Sequence, residues 1–175
     1  MEEELLNALK IRNFVVVEEL IKKGADVNHL FETGVDPIYW AVTEDDVEMV
    51  KILLQYDIDL SRKYDKKKYS LLHYAANNYE ITKLLLNNGV EVDAQEFYGN
   101  TPLWTALHEQ NYEVAELLLQ HGADPNKKNR VGEILVGKQK QPMGVSKSPL
   151  SSSQDHGDVK ALKLFEKCKN IKDAK

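Results

Sequence analysis

The sequence predicts an all-α solenoid of about five helix-pair repeats, and three observations carry that prediction. A segment in which apolar residues close a helix ahead of a polar turn occurs four times, as LIKKGADVN (20–28), LLQYDIDLS (53–61), LLNNGVEVD (85–93) and LLQHGADPN (118–126), at spacings of 33, 32 and 33 residues. A second segment follows the first three in phase, as DPIYWAV (36–42), SLLHYAA (70–76) and TPLWTAL (101–107). Between the two, apolar residues fall at i, i+3 and i+4, the pattern of a helix with one buried stripe. Self-similarity at this period marks units that bury their faces on one another and so must stack.

The two segments resemble the LLxxGADVN and TPLHxAA motifs of ankyrin repeats. The resemblance is strong over 29–126 and weak at both ends. It implies one ankyrin-repeat domain over 1–175, three well-matched repeats between two atypical caps, joined by hairpin-like loops. The expected repeats are 1–30, 31–63, 64–95, 96–128 and 129–170, with an insertion near 133–147.

The first repeat lacks a TPLH-like start but keeps Leu5, Leu6, Ala8 and Leu9, then Phe14, Val16, Val17, Leu20 and Ile21. One face of a terminal repeat meets water, so an acidic, irregular cap is expected there. In the next three, Asp36, Ser70 and Thr101 are N-cap types, and Pro37 and Pro102 stand at N1, where a missing N–H costs nothing. Ala41, Ala75, Ala76 and Ala106 let the first helices approach closely. Val47, Val50, Leu53 and Leu54, or Val114, Leu117 and Leu118, form the larger apolar face of the second. Gly24, Gly89 and Gly122 end helices, where a left-handed residue is needed; Asp57 replaces that glycine, which predicts a strained or reshaped turn. The third repeat (AANNYEITKLLL) is two residues short between its helices, so either the loop is tight or the first helix ends early.

From Thr101 to Ser148 the interval is 47 residues, which places the insertion within 131–150. Glu133–Val136 has strand character, Gly137–Pro142 turn character, and Met143–Val145 the character of a return, so the segment reads as an extended β-hairpin or as a polar loop. Beyond it, SPLSSSQDHGDVKALKLF (148–165) reads as a degraded fifth repeat. Ser148, Pro149 and Leu150 match its start, Gly157-Asp158 its inter-helix turn, and Val159, Leu162, Leu164 and Phe165 its second helix. Serines at the alanine positions make this a polar cap.

Charge is distributed unevenly. Residues 1–126 hold 11 Lys+Arg against 23 Asp+Glu, a net of −12, and residues 127–175 hold 12 against 5, a net of +7. No basic face suited to nucleic acid emerges from a chain of net charge −5. The single cysteine, Cys168, allows no intrachain disulfide, and no apolar stretch is long enough for a signal peptide or membrane span. A cytoplasmic location, in its own cell or a host's, is expected.

Catalytic chemistry finds no foothold. His73 sits at the TPLH position, where the resemblance implies a structural hydrogen bond. His121 stands near a helix C-terminus, and His29 and His108 have no partner at metal-ligand spacing. Glu44, Asp45 and Asp46 precede a helix whose dipole favours them. Gly132–Lys138 fits GxxxxGK, but Gln139 follows where a phosphate loop needs Ser or Thr, so nucleotide binding is not expected. No catalytic residue, metal ligand or cofactor is therefore assigned.

Ankyrin proteins usually meet partners through loop tips and the exposed face of the first helices. Carried over by position, the tips are Glu32, Thr33 and Val35; Asp65, Lys66, Lys67 and Tyr69; Phe97, Tyr98 and Asn100; and Arg130. The helix-face positions are Thr43, Glu44, Asn77, Asn78, His108 and Glu109. Phe97 and Tyr98 are aromatic where a loop ordinarily takes polar residues, and Arg62, Lys63, Lys66, Lys67 and Lys68 gather five cations in one tip. Trp40 and Tyr74 hold equivalent places and either stack along the groove or belong to the core. Asn28 and Asn126 resemble substrates of the ankyrin asparaginyl hydroxylase; a bond across the loop also explains them. The resulting expectation is a monomeric, non-enzymatic protein-binding module (adaptor, inhibitor or scaffold) with no membrane or nucleic-acid partner. The alternative is a bacterial or viral effector in a host cell, or an immunity protein against a toxin.

Overall fold

The computed structural model describes residues 1–130 and 146–173, with side chains to residue 169. Five helical hairpins follow one another: α1 (Glu2–Lys10) with α2 (Phe14–Lys22), α3 (Pro37–Thr43) with α4 (Val47–Leu53), α5 (Leu71–Tyr74) with α6 (Tyr79–Asn87), α7 (Pro102–His108) with α8 (Tyr112–Gln120), and α9 (Pro149–Asp155) with α10 (Val159–Asp173). First helices pack side by side in one row and second helices in another. The result is the expected two-layer stack, with no strand among the described residues.

Local chemistry explains where each helix starts. Asp36 accepts from the Tyr39 N–H at 2.9 Å, and Thr101 accepts from that of Trp104 at 3.4 Å. Each second helix has its own cap of the same kind. Asn13, Asp46, Asn78, Asn111 and Asp158 accept from the amides of Val16, Met49, Ile81, Val114 and Ala161 at 3.0–3.2 Å. The residue before most of these caps turns left-handed: Arg12 (φ 54), Asp45 (53), Gln110 (58) and Gly157 (65).

Ala41, Ala75 and Ala106 are fully buried where the first helices touch, and Ser153 takes the equivalent buried position in the fifth repeat. Around them Leu5, Leu9, Ile38, Met49, Leu53, Leu71, Leu72, Ile81, Leu85, Leu103 and Leu118 form one continuous core.

The irregular places resolve in specific ways. In the third repeat the first helix ends early: α5 has four residues and passes into a 3-10 turn, Ala75–Asn77, leading straight to the Asn78 cap. The Asp57 turn is reshaped and unstrained. Gly24, Gly89 and Gly122 have φ of 100°, 80° and 96°, whereas Asp57 does not enter the positive-φ region. Instead α4 stops two residues sooner than α2, and Tyr56 and Ile58 close short turns onto Leu53 and Tyr56. The cap helix α10 runs to Asp173, past the expected boundary, and buries Ala161, Phe165 and Cys168, while Val159 is 60% exposed. The hairpin-or-loop segment Glu133–Val145 and the phosphate-loop-like Gly132–Lys138 lie outside the described residues.

Candidate protein-binding face

Three loop tips close on backbone hydrogen bonds. Phe31 N–H donates to Val35 O at 2.8 Å, Tyr64 and Tyr69 exchange bonds of 2.8 and 3.0 Å, and Glu96 N–H donates to Asn100 O at 3.1 Å. The second tip has one more residue between its paired positions than the others. It accommodates the extra length with two left-handed residues, Asp65 (φ 58) and Lys68 (φ 60).

Beneath that tip lies a buried polar network. The Asp36 carboxylate receives the Tyr64 hydroxyl at 2.9 and 3.1 Å and the Arg62 guanidinium at 2.7 Å. Burial, with the Asp36 charge adding to it, pushes the Tyr64 phenol far above its usual range. Arg62 also donates to Asn28 O at 3.2 Å. The tip therefore presents four exposed lysines, of which Lys63 donates to Gln95 O at 3.3 Å, and the expectation of five cations is corrected: Arg62 tethers the tip to the buried Asp36. Asp46 is held similarly, with Arg12 at 2.7 Å.

Tyr39, Tyr64, Tyr69 and Tyr74 pack ring against ring at 4.6–6.4 Å, and Tyr74 donates to Asp65 at 2.7 Å. Tyr74 thus joins a tyrosine cluster drawn from two successive repeats. Trp40 is half-buried against the core, with the Lys10 ammonium 5.8 Å from its ring centre.

His73 fastens the second tip region to the third. Its Nδ1 accepts from the Ser70 N–H at 3.2 Å and its Nε2–H donates to Asn100 O at 3.0 Å, a tautomer set by these partners. Burial lowers its pKa to about 4, against a raising effect from the Asn100 bond, so the ring is neutral at pH 7. Asn28 bonds not across its own loop but to the equivalent turn of the next repeat, donating to Asp57 O and accepting from the Asp59 N–H, both at 2.8 Å.

Most of the expected contact residues are on the surface. Glu32, Thr33, Thr43, Glu44, Asp65, Lys66, Lys67, Asn77, Phe97, Tyr98, His108, Glu109 and Arg130 are exposed. Four are not available as expected. Asn78 is the α6 cap and also donates to Asp45 at 2.9 Å. Asn100 is half-buried and occupied by His73, Glu96 and Asn129. Val35 and Tyr69 are half-buried, Tyr69 stacked on His73 at 5.3 Å. Asn78 is taken up by its own helix and the repeat before it, Asn100 by the repeats on both sides, and Tyr69 by His73 within its own repeat.

Backbone bonds join the tips in a row. Phe97 N–H donates to Lys67 O at 2.6 Å, and Arg130 N–H donates to Tyr98 O at 2.7 Å. A cleft of about 650 Å³ between the fourth and fifth repeats gathers Trp104, His108, Tyr112, His156 and Lys160. Among the described residues no three His, Cys, Asp or Glu side chains could share a metal ion, and no helix is long and apolar enough to cross a membrane.

Comparison with known proteins places these features in context. A family model described as ankyrin repeats (3 copies) matches residues 60–129. A putative ankyrin repeat protein of Acanthamoeba polyphaga mimivirus is 30% identical over 138 residues, 75% of this chain and 18% of that protein. The nuclear factor NF-kappa-B p105 subunit of Gallus gallus is 36% identical over 104 residues, 55% of this chain and 10% of its own. A putative ankyrin repeat protein of Fowlpox virus (strain NVSL) is 32% identical over 99 residues, 55% and 17% respectively. The chain spans less than a fifth of the length of each of these relatives.

Proposed function

The chain belongs to the ankyrin-repeat family, whose repeats are protein–protein interaction modules and in general non-catalytic, and we propose that it captures a partner protein on its row of loop tips and first helices. One observation carries this reading. Phe97 and Tyr98 stand 46% and 43% exposed at the third tip, edge to face at 5.2 Å. That tip is not a loose loop: Gly99 N–H donates to Glu96 O at 2.8 Å and Asn100 N–H to the Glu96 carboxylate at 2.9 Å. Two large rings held rigidly in water gain free energy when a partner covers them, and pre-ordering reduces the entropy lost on docking.

A non-enzymatic role in the cytoplasm, as adaptor, inhibitor or scaffold, agrees with this surface. The buried imidazole of His73 is committed on both nitrogens and has no proton-transfer task. The viral ankyrin proteins among the relatives favour a second reading, an effector acting inside a host cell. Affinity capture from lysate of the source organism tests the first. The double variant Phe97→Ala/Tyr98→Ala should lose the captured protein while keeping its helical circular dichroism; undiminished capture overturns the reading.

A further inference from the structure

Six exposed cations flank the two rings. Lys63, Lys66, Lys67 and Lys68 belong to the second tip, and Lys128 and Arg130 to the fourth. Among the described residues none of the six lies within 4.0 Å of a carboxylate, whereas Arg12, Lys22, Lys51, Arg62, Lys147 and Lys167 all do. Lys10, Lys83, Lys127, Lys160, Lys163 and Lys169 also lack such a pair among the described residues, and six more cations stand together on these two tips, in a body whose residues 1–126 carry a net −12.

The backbone sets their order. The Phe97–Lys67 and Arg130–Tyr98 bonds fasten both basic tips to the aromatic one between them. Gly99 makes the second junction close: a Cβ there would lie 2.7 Å from Arg130 N and 2.8 Å from Arg130 Cγ. The sequence of surfaces is therefore basic, aromatic, basic, along one edge.

Resting on the protein-binding reading above, we infer that this edge receives an acidic, extended segment of the partner, with an apolar side chain seated on Phe97 and Tyr98 and carboxylates on either side. Charge complementarity selects the class. Exposed ion pairs are individually weak, so the apolar contact supplies affinity while the cations supply orientation and approach rate. A nucleic acid is the poorer match. Its phosphates continue past the edge toward an acidic body, and rings inclined at 88° offer no parallel pair of faces for successive bases.

The test uses fluorescence anisotropy with a labelled short peptide of Asp and Glu around one Phe. The comparators are the same peptide with Ala for Phe, a Lys-based counterpart, and oligodeoxythymidine. The acidic Phe peptide should bind best and weaken as salt is raised. Phe97→Ala should reduce its affinity about tenfold. Lys66→Gln/Lys67→Gln/Lys68→Asn should reduce it by about the same factor at low salt and less at high salt, Asn being suited to the left-handed backbone at 68. Absence of binding, indifference to the Phe, or tighter binding of oligodeoxythymidine overturns the inference. If the peptide fails but lysate capture still depends on Phe97 and Tyr98, this inference alone falls. If capture is insensitive to those rings, the reading beneath it falls.

Discussion

Acidification should weaken this stack through His73 in particular. The ring is 6% exposed, and its folded pKa of about 4 lies below the unfolded value of about 6.5. Between those values the unfolded chain binds a proton that the folded chain refuses, so stability rises with pH. His73's contribution is complete above pH ~6.5 and is lost as pH falls toward ~4. The two pKa values give a loss of about 2 kcal/mol at pH ~5, approaching ~3 kcal/mol below pH ~4. Structurally, a protonated Nδ1 can no longer accept from the Ser70 N–H, so the imidazolium is disfavoured by burial and by a lost acceptor. The assay is urea denaturation followed by circular dichroism near pH 7.5 and near pH 5, on the wild type and on His73→Gln. The variant is less stable at neutral pH because Asn100 O loses its donor, but it lacks this titration. Wild type should therefore lose about 2 kcal/mol more than the variant over that interval. Equal losses would refute the argument, because they would mean that His73 is protonated in the fold at no cost.

Other perturbations separate further parts of the structure. Asp36→Ala removes the α3 cap and leaves Arg62 and the Tyr64 hydroxyl facing an apolar gap; thermal and urea unfolding should show a loss of about 3–4 kcal/mol. Gln110→Gly relieves a left-handed residue ahead of the Asn111 cap, the position Gly157 fills in the last repeat, and should stabilise by about 0.5–1 kcal/mol, read as a raised Tm. Gly99→Ala forces a Cβ onto the Arg130 backbone at a φ of +80°; it should cost about 2 kcal/mol and speed amide exchange at Arg130, whose N–H spans the junction.

Much of the stack was legible because its determinants are local. The caps of the first helices, the prolines at N1 and the helix-ending glycines act within a few residues of themselves, so their types at a regular spacing suffice. The second-helix caps were equally local. Asn13, Asp46, Asn78 and Asn111 recur at intervals of 33, 32 and 33 residues, in step with the motifs, yet Asn and Asp are common in any turn, so their type alone does not distinguish a cap from a surface residue. Asn78, which its position places on the helix face, is committed as the α6 cap. At Asp57 the sequence offered two outcomes, strain or reshaping. The choice depended on whether α4 could give up its last turn, and it could.

The candidate face was legible in part. Exposure of Phe97 and Tyr98 followed from their place at a tip. The fate of Arg62 did not, because its partner Asp36 lies 26 positions earlier, across a repeat boundary. Asn100, half-buried under His73, belongs with it, as does the cluster of Tyr39, Tyr64, Tyr69 and Tyr74.

The sequence by itself determined the repeat, its handful of helix signals and the presence of aromatic and basic tips. Tertiary structure alone decided which of those side chains are held inside and which are left to meet a partner. The physical reason is that helix propensity and capping act along the chain over a turn or two, whereas ion pairing, burial and tip-to-tip hydrogen bonds act between repeats, at a register that only the packed stack sets.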